Sequence, residues 1–352
     1  KSNVMDDNGD SFLDNPLITR YVLYNKWNLS DKDNQTEFNI AGRYWNEKRD
    51  GGQTNDPSHS GTHTTGHALY EQNVKINSAE GYSRFSKQFT ETSGLKMYLT
   101  SSYYDQVSNY GFTKYDAKQT SFSAMGFYEF ELLPRSYLKT GLSYKYQKID
   151  EVIAFGDTTS KTYAGNYIKK EAIPGVFAEN SLSFFEDKAS LMTGIRLDNH
   201  NEHGLVVTPR ALFRYQPVKT IVLRASIGTG FRTLNLFSEY SNLLASSRNV
   251  VIAETLEPEK TLNYGVDLLY YFGGTSFSGS VNVDFYRTEF SNKIIPDYDS
   301  NPREVIFANL NGRAFSNVMQ SEVSITLLRN LDLKFAYKFI DLNYEKDGVK
   351  YE

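Results

Sequence analysis

Histidine is the residue type in this chain whose spacing most directly suggests chemistry. His59, His63 and His67 recur at every fourth position, and His200 and His203 form a second group. On a helix a four-residue period places side chains on one face, where imidazole nitrogens can bind a metal, a haem or a metal chelate. A proline and two glycines in or beside the first group oppose a regular helix. Two interpretations stay open: a ligand-binding loop and an ordinary polar surface loop.

An acidic segment near the first residue has the spacing of a calcium-binding loop. Asp6, Asn8, Asp10 and Asp14 stand at relative positions 1, 3, 5 and 9, which is how short oxygen ligands wrap a calcium ion. Serine takes the sixth position, where glycine is preferred, and leucine takes the twelfth, where a bidentate glutamate is preferred. The segment is therefore not a complete EF-hand. It predicts either a bound calcium, the only cofactor the sequence suggests, or an acidic solvated loop.

Several functional classes are excluded by composition and motifs. The chain contains no cysteine, which removes disulfides, cysteine-ligated zinc and thiol catalysis. It has no phosphate-binding Walker loop, no HExxH and no GxSxG motif. A net charge of −4 gives no reason to expect a nucleic-acid partner. The sequence therefore predicts a binding protein and not an enzyme.

Long strands must position these loop residues. Between Thr220 and Tyr271, two segments alternate apolar and polar residues with a period of two and are separated by a long connection. The pattern recurs along the chain, and tight turns alternate with long loops, one of them expected around Asn109. The predicted strands include segments near 74–89, 95–107, 118–131, 136–150, 168–185, 189–199, 207–216 and 220–228.

The two faces of these strands differ in a way that selects one kind of barrel. Leu138 and Leu142 alternate with Lys139 and Lys145, so one face carries charge too often to be a dry core. About fourteen strands would enclose a space too wide for side chains to fill. An interior that is polar and an exterior that is apolar resolve the conflict. The sequence therefore predicts an all-β, transmembrane antiparallel β-barrel with tight turns at the periplasmic end and long loops outside.

Aromatic content supports this prediction. The chain has 26 Tyr and 23 Phe, and its mean hydropathy is −0.51, as expected when one face meets lipid, the other meets water, and aromatic girdles mark the interfaces. No apolar run approaches the roughly 20 residues of a membrane helix. Tyr110 belongs to a tyrosine-rich stretch at the outer end of the barrel. It either stacks on an aromatic or sugar ligand or anchors the membrane interface.

The central stretch also resembles a known family. RASIGTGFRTLNLFSEY, followed by LEPEKTLNYGVDL, is similar to the late-barrel signature of TonB-dependent outer-membrane receptors, and LLASSR resembles versions from the Bacteroidota. Leu234 replaces a proline that many members carry, and Gly265 replaces an acidic residue. The matching residues are Arg224, Ser226, Gly228, Gly230, Phe231, Arg232, Leu236, Leu256, Pro258 and Glu259.

The resemblance implies active uptake of a scarce nutrient across the outer membrane of a Gram-negative bacterium, driven by the TonB complex. The histidines favour a metal chelate such as a ferric siderophore, haem or cobalamin; alternatives are an oligosaccharide importer and a passive porin-like or fatty-acid channel. Arg232 either contacts the ligand or fixes the long loop or a plug domain. Expected partners are the ligand and outer-membrane lipid, and a surface lipoprotein is expected if the ligand is a glycan or cobalamin.

The family also sets an expectation for what this chain is part of. Plugged outer-membrane transporters have about 22 strands, and about fourteen are predicted here. Residues 1–352 carry no signal peptide at their start. The chain is therefore expected to be part of a single barrel domain, without the plug domain and the first and last strands.

Overall fold

A computed structural model of the protein describes residues 4–53, 70–156, 161–328, 330–346 and 349–351, and His59, His63 and His67 lie outside these ranges. Fifteen strands form one antiparallel sheet. No helix in these ranges is long and apolar enough to cross a membrane. The strands of the large sheet are β1 (Leu17–Asp31), β2 (Thr36–Gly52), β3 (Glu71–Thr90), β4 (Ser93–Tyr110), β5 (Thr113–Leu133), β6 (Ser136–Phe155), β7 (Gly165–Phe184), β8 (Ala189–His200), β9 (Gly204–Val218), β10 (Ile221–Arg232), β12 (Glu259–Gly273), β13 (Phe277–Ser291), β16 (Gly312–Leu327), β17 (Leu331–Lys346) and β18 (Val349–Tyr351).

Each strand of this sheet pairs with the next strand of the sheet along the chain. Three short strands form a separate sheet. These are β11 (Asn249–Ile252), β14 (Ile294–Asp297) and β15 (Glu304–Asn309), in the order β11-β15-β14. Among the described residues the large sheet is open, with β1 and β18 at its edges. The architecture confirms the predicted all-β class and the near-neighbour antiparallel pairing of a barrel wall.

The predicted polarity of the wall is confirmed. Leu142 is 67% exposed on the outer face, where lipid would cover it. Side chains at the alternate positions of the strands point to the opposite face. On β6, Lys139 pairs with buried Glu179 at 3.0 Å, and on β10, Arg224 pairs with buried Asp267 at 2.6 Å. Because the charged pairs share the face opposite the apolar residues, that inner face is the polar lining of the barrel.

Aromatic rings form a belt on the outer face at the tight-turn end. Ring centroids lie about 6 Å apart along it, close enough for tilted or offset-stacked contacts. A belt at this level is the aromatic girdle that marks a membrane interface. Its contacting pairs are Phe89–Tyr128, Tyr128–Phe130, Phe184–Phe213, Phe213–Tyr215, Tyr270–Phe272 and Phe272–Phe277.

At the other end the strands are longer than the sequence predicted. β4 and β5 continue to Tyr110 and from Thr113, so the loop expected around Asn109 is wrong. A two-residue turn replaces it, with Gly111 in the left-handed region at φ 59°, where glycine has no steric penalty. These strands have 18 and 21 residues, about twice the 9–11 that cross a bilayer. Their outer halves therefore extend beyond the membrane.

Candidate functional site

Two long connections at the outer end fold together into one unit, which we call the cap. The cap comprises residues 233–258, between β10 and β12, and residues 292–311, between β13 and β16. The first connection contributes β11, and the second contributes β14 and β15. β11 pairs in parallel with β15, from Asn249 opposite Glu304 to Ile252 opposite Phe307. Since the backbone ladder joins the two connections, neither can move far without the other.

A buried glutamate joins the stems of the two connections. Glu259 is 2% exposed and accepts a hydrogen bond from Arg232 Nε at 2.6 Å and one from the Ile294 N–H at 2.9 Å. Lys293 Nζ lies 3.0 Å from the same carboxylate. Arg232 also donates to Glu239 at 2.8 Å. Burial opposes ionisation, but these donors hold the pKa of Glu259 below its ordinary value.

A lysine on the facing wall holds the start of the first connection. Lys169 Nζ donates to Thr233 Oγ1 at 2.9 Å, to Leu234 O at 2.9 Å and to Asn235 Oδ1 at 2.8 Å. Glu171 pairs with the ammonium group at 3.1 Å and accepts the Thr233 hydroxyl. The ammonium group therefore contacts three consecutive residues of the cap as well as Glu171.

The underside of the cap is apolar and packs on the inner face of β4 to β7. The cap contains a short helix, α1 (Leu236–Glu239), and a 3-10 turn, Ser241–Ala245. Burial of each large side chain contributes about 2 kcal/mol, so the packed surface stabilises a closed position. The cap supplies Phe237, Leu243, Leu244, Val250, Ile294, Val305 and Phe307, the wall supplies Tyr110, Tyr115, Ala117 and Ile153, and the connection between β6 and β7 supplies Tyr163.

A cavity of about 930 Å³ lies beneath the cap, on the inner face of the barrel. Its aromatic wall includes Trp45, Tyr104 and Tyr110, and its hydrogen-bonding groups include Arg49 and Gln106. Trp45 and Tyr104 are 6.3 Å apart between ring centroids. The 3-10 turn and the end of α1 form part of the roof. Aromatic walls with a few convergent polar groups are typical of small-molecule sites.

One polar pair is buried at the edge of this cavity. Tyr115 donates to Glu151 at 2.6 Å. Burial raises the pKa of the Tyr115 hydroxyl, and the neighbouring carboxylate adds to the effect. Burial also raises the pKa of Glu151, although the Tyr115 hydroxyl favours its charged form. Both residues lie in the outer halves of β5 and β6, so the pair fixes the wall where the cap rests.

Comparison with known proteins decides the family. The family model described as "TonB dependent receptor-like, beta-barrel" matches residues 4–344. The chain is a TonB-dependent receptor barrel. Members of this family are receptors and transporters of the outer membrane, and this barrel belongs there. No curated protein sequence matches it.

Solved structures share the fold of this receptor barrel at low sequence identity. The ferripyoverdine receptor of Pseudomonas aeruginosa, bound to ferripyoverdine, has a TM-score of 0.64 and 14% identity over 95% of this chain and 50% of its own. The alcaligin receptor FauA of Bordetella pertussis gives 0.60 and 13%, over 92% and 54%. The iron transporter FrpB of Neisseria meningitidis (F3-3 variant) gives 0.61 and 12%, over 92% and 53%. The receptor barrel spans about half of each of these chains.

Of the candidate residues chosen from the sequence, Tyr110 and Arg232 lie closest to the cavity and cap. Tyr110 is 8% exposed and faces the cavity, not the lipid. Arg232 donates hydrogen bonds from Nε to Glu259 and from Nη1 to Glu239. These contacts agree with one of its two predicted roles, that of fixing the long loop. Ligand contact by either residue stays a prediction.

The second histidine group lies apart from the cavity of the receptor barrel, at the turn between β8 and β9. His200 is 2% exposed, and its ring centroid is 4.7 Å from that of His203. Its Nδ1 accepts the N–H groups of Glu202 and His203, while its Nε2 points at Glu171 from 3.7 Å. Burial lowers the pKa of His200, although Glu171 opposes this effect. The arrangement supports the neutral ring.

The acidic segment of the receptor barrel forms a compact turn at its outer end. The N–H groups of Asp10 and Ser11 donate to the Asp6 carboxylate at 3.1 and 3.0 Å, and the Asp7 N–H donates to Asp14 Oδ2 at 2.8 Å. Asn8 Oδ1 accepts a hydrogen bond from the Asp10 N–H. Among the described residues, no group of three or more histidine or acidic side chains is arranged to hold a metal. Calcium binding stays a prediction.

Sequence reasoning missed the cap of the receptor barrel. The first connection was predicted only as a long loop, and the three-stranded sheet was not predicted. The signal is present as two short apolar runs, Asn249–Ile252 and Glu304–Asn309. Runs this short are ambiguous, and their partners are far apart in the sequence.

Proposed function

We propose that this chain is the wall of a receptor that takes up a scarce metal chelate through the outer membrane at the expense of energy from the TonB complex. The observation that carries the proposal is the cavity beneath the folded cap. It combines the aromatic wall of Trp45, Tyr104 and Tyr110 with polar groups. A ferric chelate presents flat ligand groups and polar rims that fit such a surface.

The cap gives this barrel the features of a receptor and not of an open pore. Its underside buries Phe237, Leu243 and Leu244 against the wall, so it covers part of the barrel mouth. A passive channel has an open, water-filled interior. Displacement of the cap would widen the way to the cavity, and closure over the ligand would keep it in place. Residues 1–352 then form part of one barrel domain, whose plug and remaining strands come from elsewhere in the full protein.

An oligosaccharide importer is the second candidate. Aromatic rings stack on sugar faces, and the cavity adds glutamine side chains at Gln72, Gln106 and Gln119. Sugars need such groups at many positions because each ring presents several hydroxyls. Arg49 and Glu80 also line the cavity, and charged groups suit a charged metal chelate better than a neutral sugar.

Uptake by cells tests the proposal. The full-length gene is expressed in a strain that lacks its other receptors, with and without TonB, and accumulation of a ⁵⁵Fe-labelled chelate and of ¹⁴C-maltohexaose is measured. We expect accumulation of a ferric chelate only when TonB is present. Accumulation of maltohexaose alone would select the second candidate. Accumulation of a chelate without TonB would indicate a passive channel and contradict the proposal.

A further inference from the structure

The apolar band on the outer face of the receptor barrel ends in a second row of aromatic residues, at the end away from the tight turns. Tyr44, Tyr103, Phe122 and Tyr144 form this upper row, and they are between 39% and 48% exposed. The ring centroids of Phe122 and Tyr144 lie 6.4 Å apart. Aromatic rows at both limits of the band mark the two membrane interfaces. The next residues outward along these strands therefore lie at the level of the lipid headgroups.

Outward of the upper row, the first charged residue on the outer face is a lysine on five of the six strands from β2 to β7. The strand register places these lysines on the same face as the aromatic row. Lysine can lay its aliphatic stem along an apolar surface while its ammonium group reaches the headgroups. The lysines are Lys48, Lys75, Lys118, Lys148 and Lys170, and β4 has Asp105 instead.

Four of these lysines form two pairs of like charge. Lys148 on β6 lies directly opposite Lys170 on β7, and Lys48 on β2 lies directly opposite Lys75 on β3. Like charges in directly opposed positions destabilise a sheet. Solvation accounts for a single exposed lysine, but two such pairs beside the upper row indicate that an anion binds between the ammonium groups.

Each pair keeps a net positive charge. One lysine of each pair forms an ion pair with an aspartate two residues further from the membrane, Lys148 with Asp150 at 2.6 Å and Lys48 with Asp50 at 2.7 Å. In the part of the chain that the structure describes, the second lysine of either pair forms no ion pair. The fifth lysine, on β5, is opposite an aspartate on each neighbouring strand and belongs to neither pair.

Amide side chains lie between the upper row and the pair on β2 and β3. Asn46 Nδ2 donates to Asn77 Oδ1 at 2.7 Å, and the Tyr44 hydroxyl donates to the same oxygen at 3.4 Å. Amides and a tyrosine hydroxyl can form hydrogen bonds with sugar hydroxyls, and the lysine ammonium group is a common partner of phosphate. Sugar and phosphate groups at one level are the features of a phosphorylated glycolipid headgroup and not of a zwitterionic phospholipid.

We infer that each lysine pair binds a phosphate group on the sugar headgroup of an outer-leaflet glycolipid. The acyl chains of this lipid pack on the apolar band below the upper row, and its phosphate neutralises the net charge of the pair. The inference rests on the outer-membrane location of the receptor barrel and is independent of the substrate in the inner cavity. It specifies the lipid that the barrel binds at its outer interface.

Native mass spectrometry of the purified full-length receptor in neutral detergent tests the inference, because it counts bound lipid molecules and measures their affinity. The probes are lipid A with two phosphate groups, the same lipid with both phosphates removed, and inorganic phosphate. Wild type should bind the bisphosphorylated lipid at least about ten times more tightly than the dephosphorylated lipid. Equal affinity for the two lipids would overturn the inference.

Two double variants each remove one lysine pair. A control makes the same change in net charge at two other exposed lysines, one near a tight turn and one at the outer end of β5 beyond the headgroup level. A further variant keeps the charge of one pair. The test variants are Lys148→Gln with Lys170→Gln and Lys48→Gln with Lys75→Gln, the control is Lys87→Gln with Lys114→Gln, and the charge-preserving variant is Lys148→Arg with Lys170→Arg.

Each test variant should lose one tightly bound lipid A molecule, because its affinity at the altered site falls roughly thirtyfold with the loss of two basic residues at an anionic surface. The control and the charge-preserving variant should bind within about twofold of wild type. Wild-type binding by both test variants would overturn the inference. Displacement of the lipid by an equal concentration of inorganic phosphate would overturn it as well, because the site would then bind phosphate without regard to the acyl chains.

Thermal unfolding without added lipid separates lipid binding from folding. Removal of the like charges at positions 148 and 170 should leave the Tm unchanged or raise it. If the glutamine and arginine variants both lose the lipid and both have a lower Tm, the lysine pair has a structural role and the inference fails. A receptor that binds bisphosphorylated lipid A at these pairs but accumulates no chelate would contradict the proposed function alone.

Discussion

Substitution of Glu259 by glutamine should loosen the cap without unfolding the barrel. The carboxylate is 2% exposed and accepts bonds from Arg232, Lys293 and the Ile294 N–H. Loss of a buried ion-pair partner costs about 3–5 kcal/mol. Arg232 and Lys293 are 50% and 30% exposed and can be rehydrated, and the amide keeps one acceptor, so we reduce the expected cost to about 2 kcal/mol.

A loss of about 2 kcal/mol lowers the free energy of cap opening by the same amount. It corresponds to about a thirtyfold increase in the population with an open cap, since 1.4 kcal/mol is a factor of ten. The strand ladders of the wall do not involve Glu259 side-chain bonds, so their stability should change little. Hydrogen–deuterium exchange measured by mass spectrometry on the full-length protein separates the two. Peptides covering β11 and β15 should exchange about thirty times faster, while peptides from β5 and β6 keep their rates.

The matched control for this experiment is Glu289→Gln. Glu289 is also at the outer end of a strand and pairs with Arg287 at 3.0 Å, but it is 48% exposed. Exposed pairs contribute little, so cap exchange should match that of wild type. Unchanged exchange of β11 and β15 in Glu259→Gln would refute the idea that this carboxylate joins the two connections. Faster exchange throughout the wall would refute the idea that the cap opens separately.

Further perturbations test other parts of the structure. Lys169→Met should accelerate exchange at residues 233–235 about tenfold through loss of charged hydrogen bonds, with Lys170→Met on the outer face as the control; equal effects would contradict the Lys169 contacts. Glu259 has a pKa below 4.5, so its stabilisation of the cap is complete above pH 4.5 and is lost as the pH falls through the lower pKa of the folded state. The rate of hydrogen–deuterium exchange in the cap should therefore rise on acidification in wild type. An exchange rate that does not change with pH would contradict the stabilising role of ionised Glu259. Burial lowers the pKa of His200 from its ordinary value of 6.5, so the turn between β8 and β9 should lose stability as the pH falls below 6.5. An NMR titration that places the pKa of His200 above 6.5 would contradict this prediction. Leu142→Arg should destabilise the inserted barrel by about 2–4 kcal/mol if it lies near the bilayer midplane, whereas Gln147→Arg on the inner face should not, and equal losses would reverse the assigned faces.

The wall could be predicted from the sequence because its signal is local. Apolar residues such as Leu142 and polar residues such as Lys139 and Lys145 alternate with a period of two. Each tight turn ends this pattern within a few residues. Strand ends at the outer side were less predictable. Around Asn109 the outer face of the strands lies beyond the lipid and carries polar residues such as Asn109 and Lys114, so the segment has the composition of a loop although it forms a ladder. The turn at Gly111 is then too short to stand out.

The cap could not be predicted for a different reason. Its sheet pairs Asn249–Ile252 with Glu304–Asn309, and such a long separation leaves no local pattern. Tyr110 was selected for its residue type, and the structure places it in the wall of the cavity beneath the cap. His200 was selected as a ligand candidate, yet its surroundings are those of a buried neutral ring. Residue type alone did not distinguish these two environments.

Anomalous diffraction at the iron edge tests the central claim most directly. Crystals of the full-length receptor are grown with a ferric chelate that the cells accumulate in a TonB-dependent manner. The account predicts an iron peak beneath the cap, beside Trp45 and Tyr104. An iron peak located away from this cavity would contradict the assignment of the cavity as the ligand site.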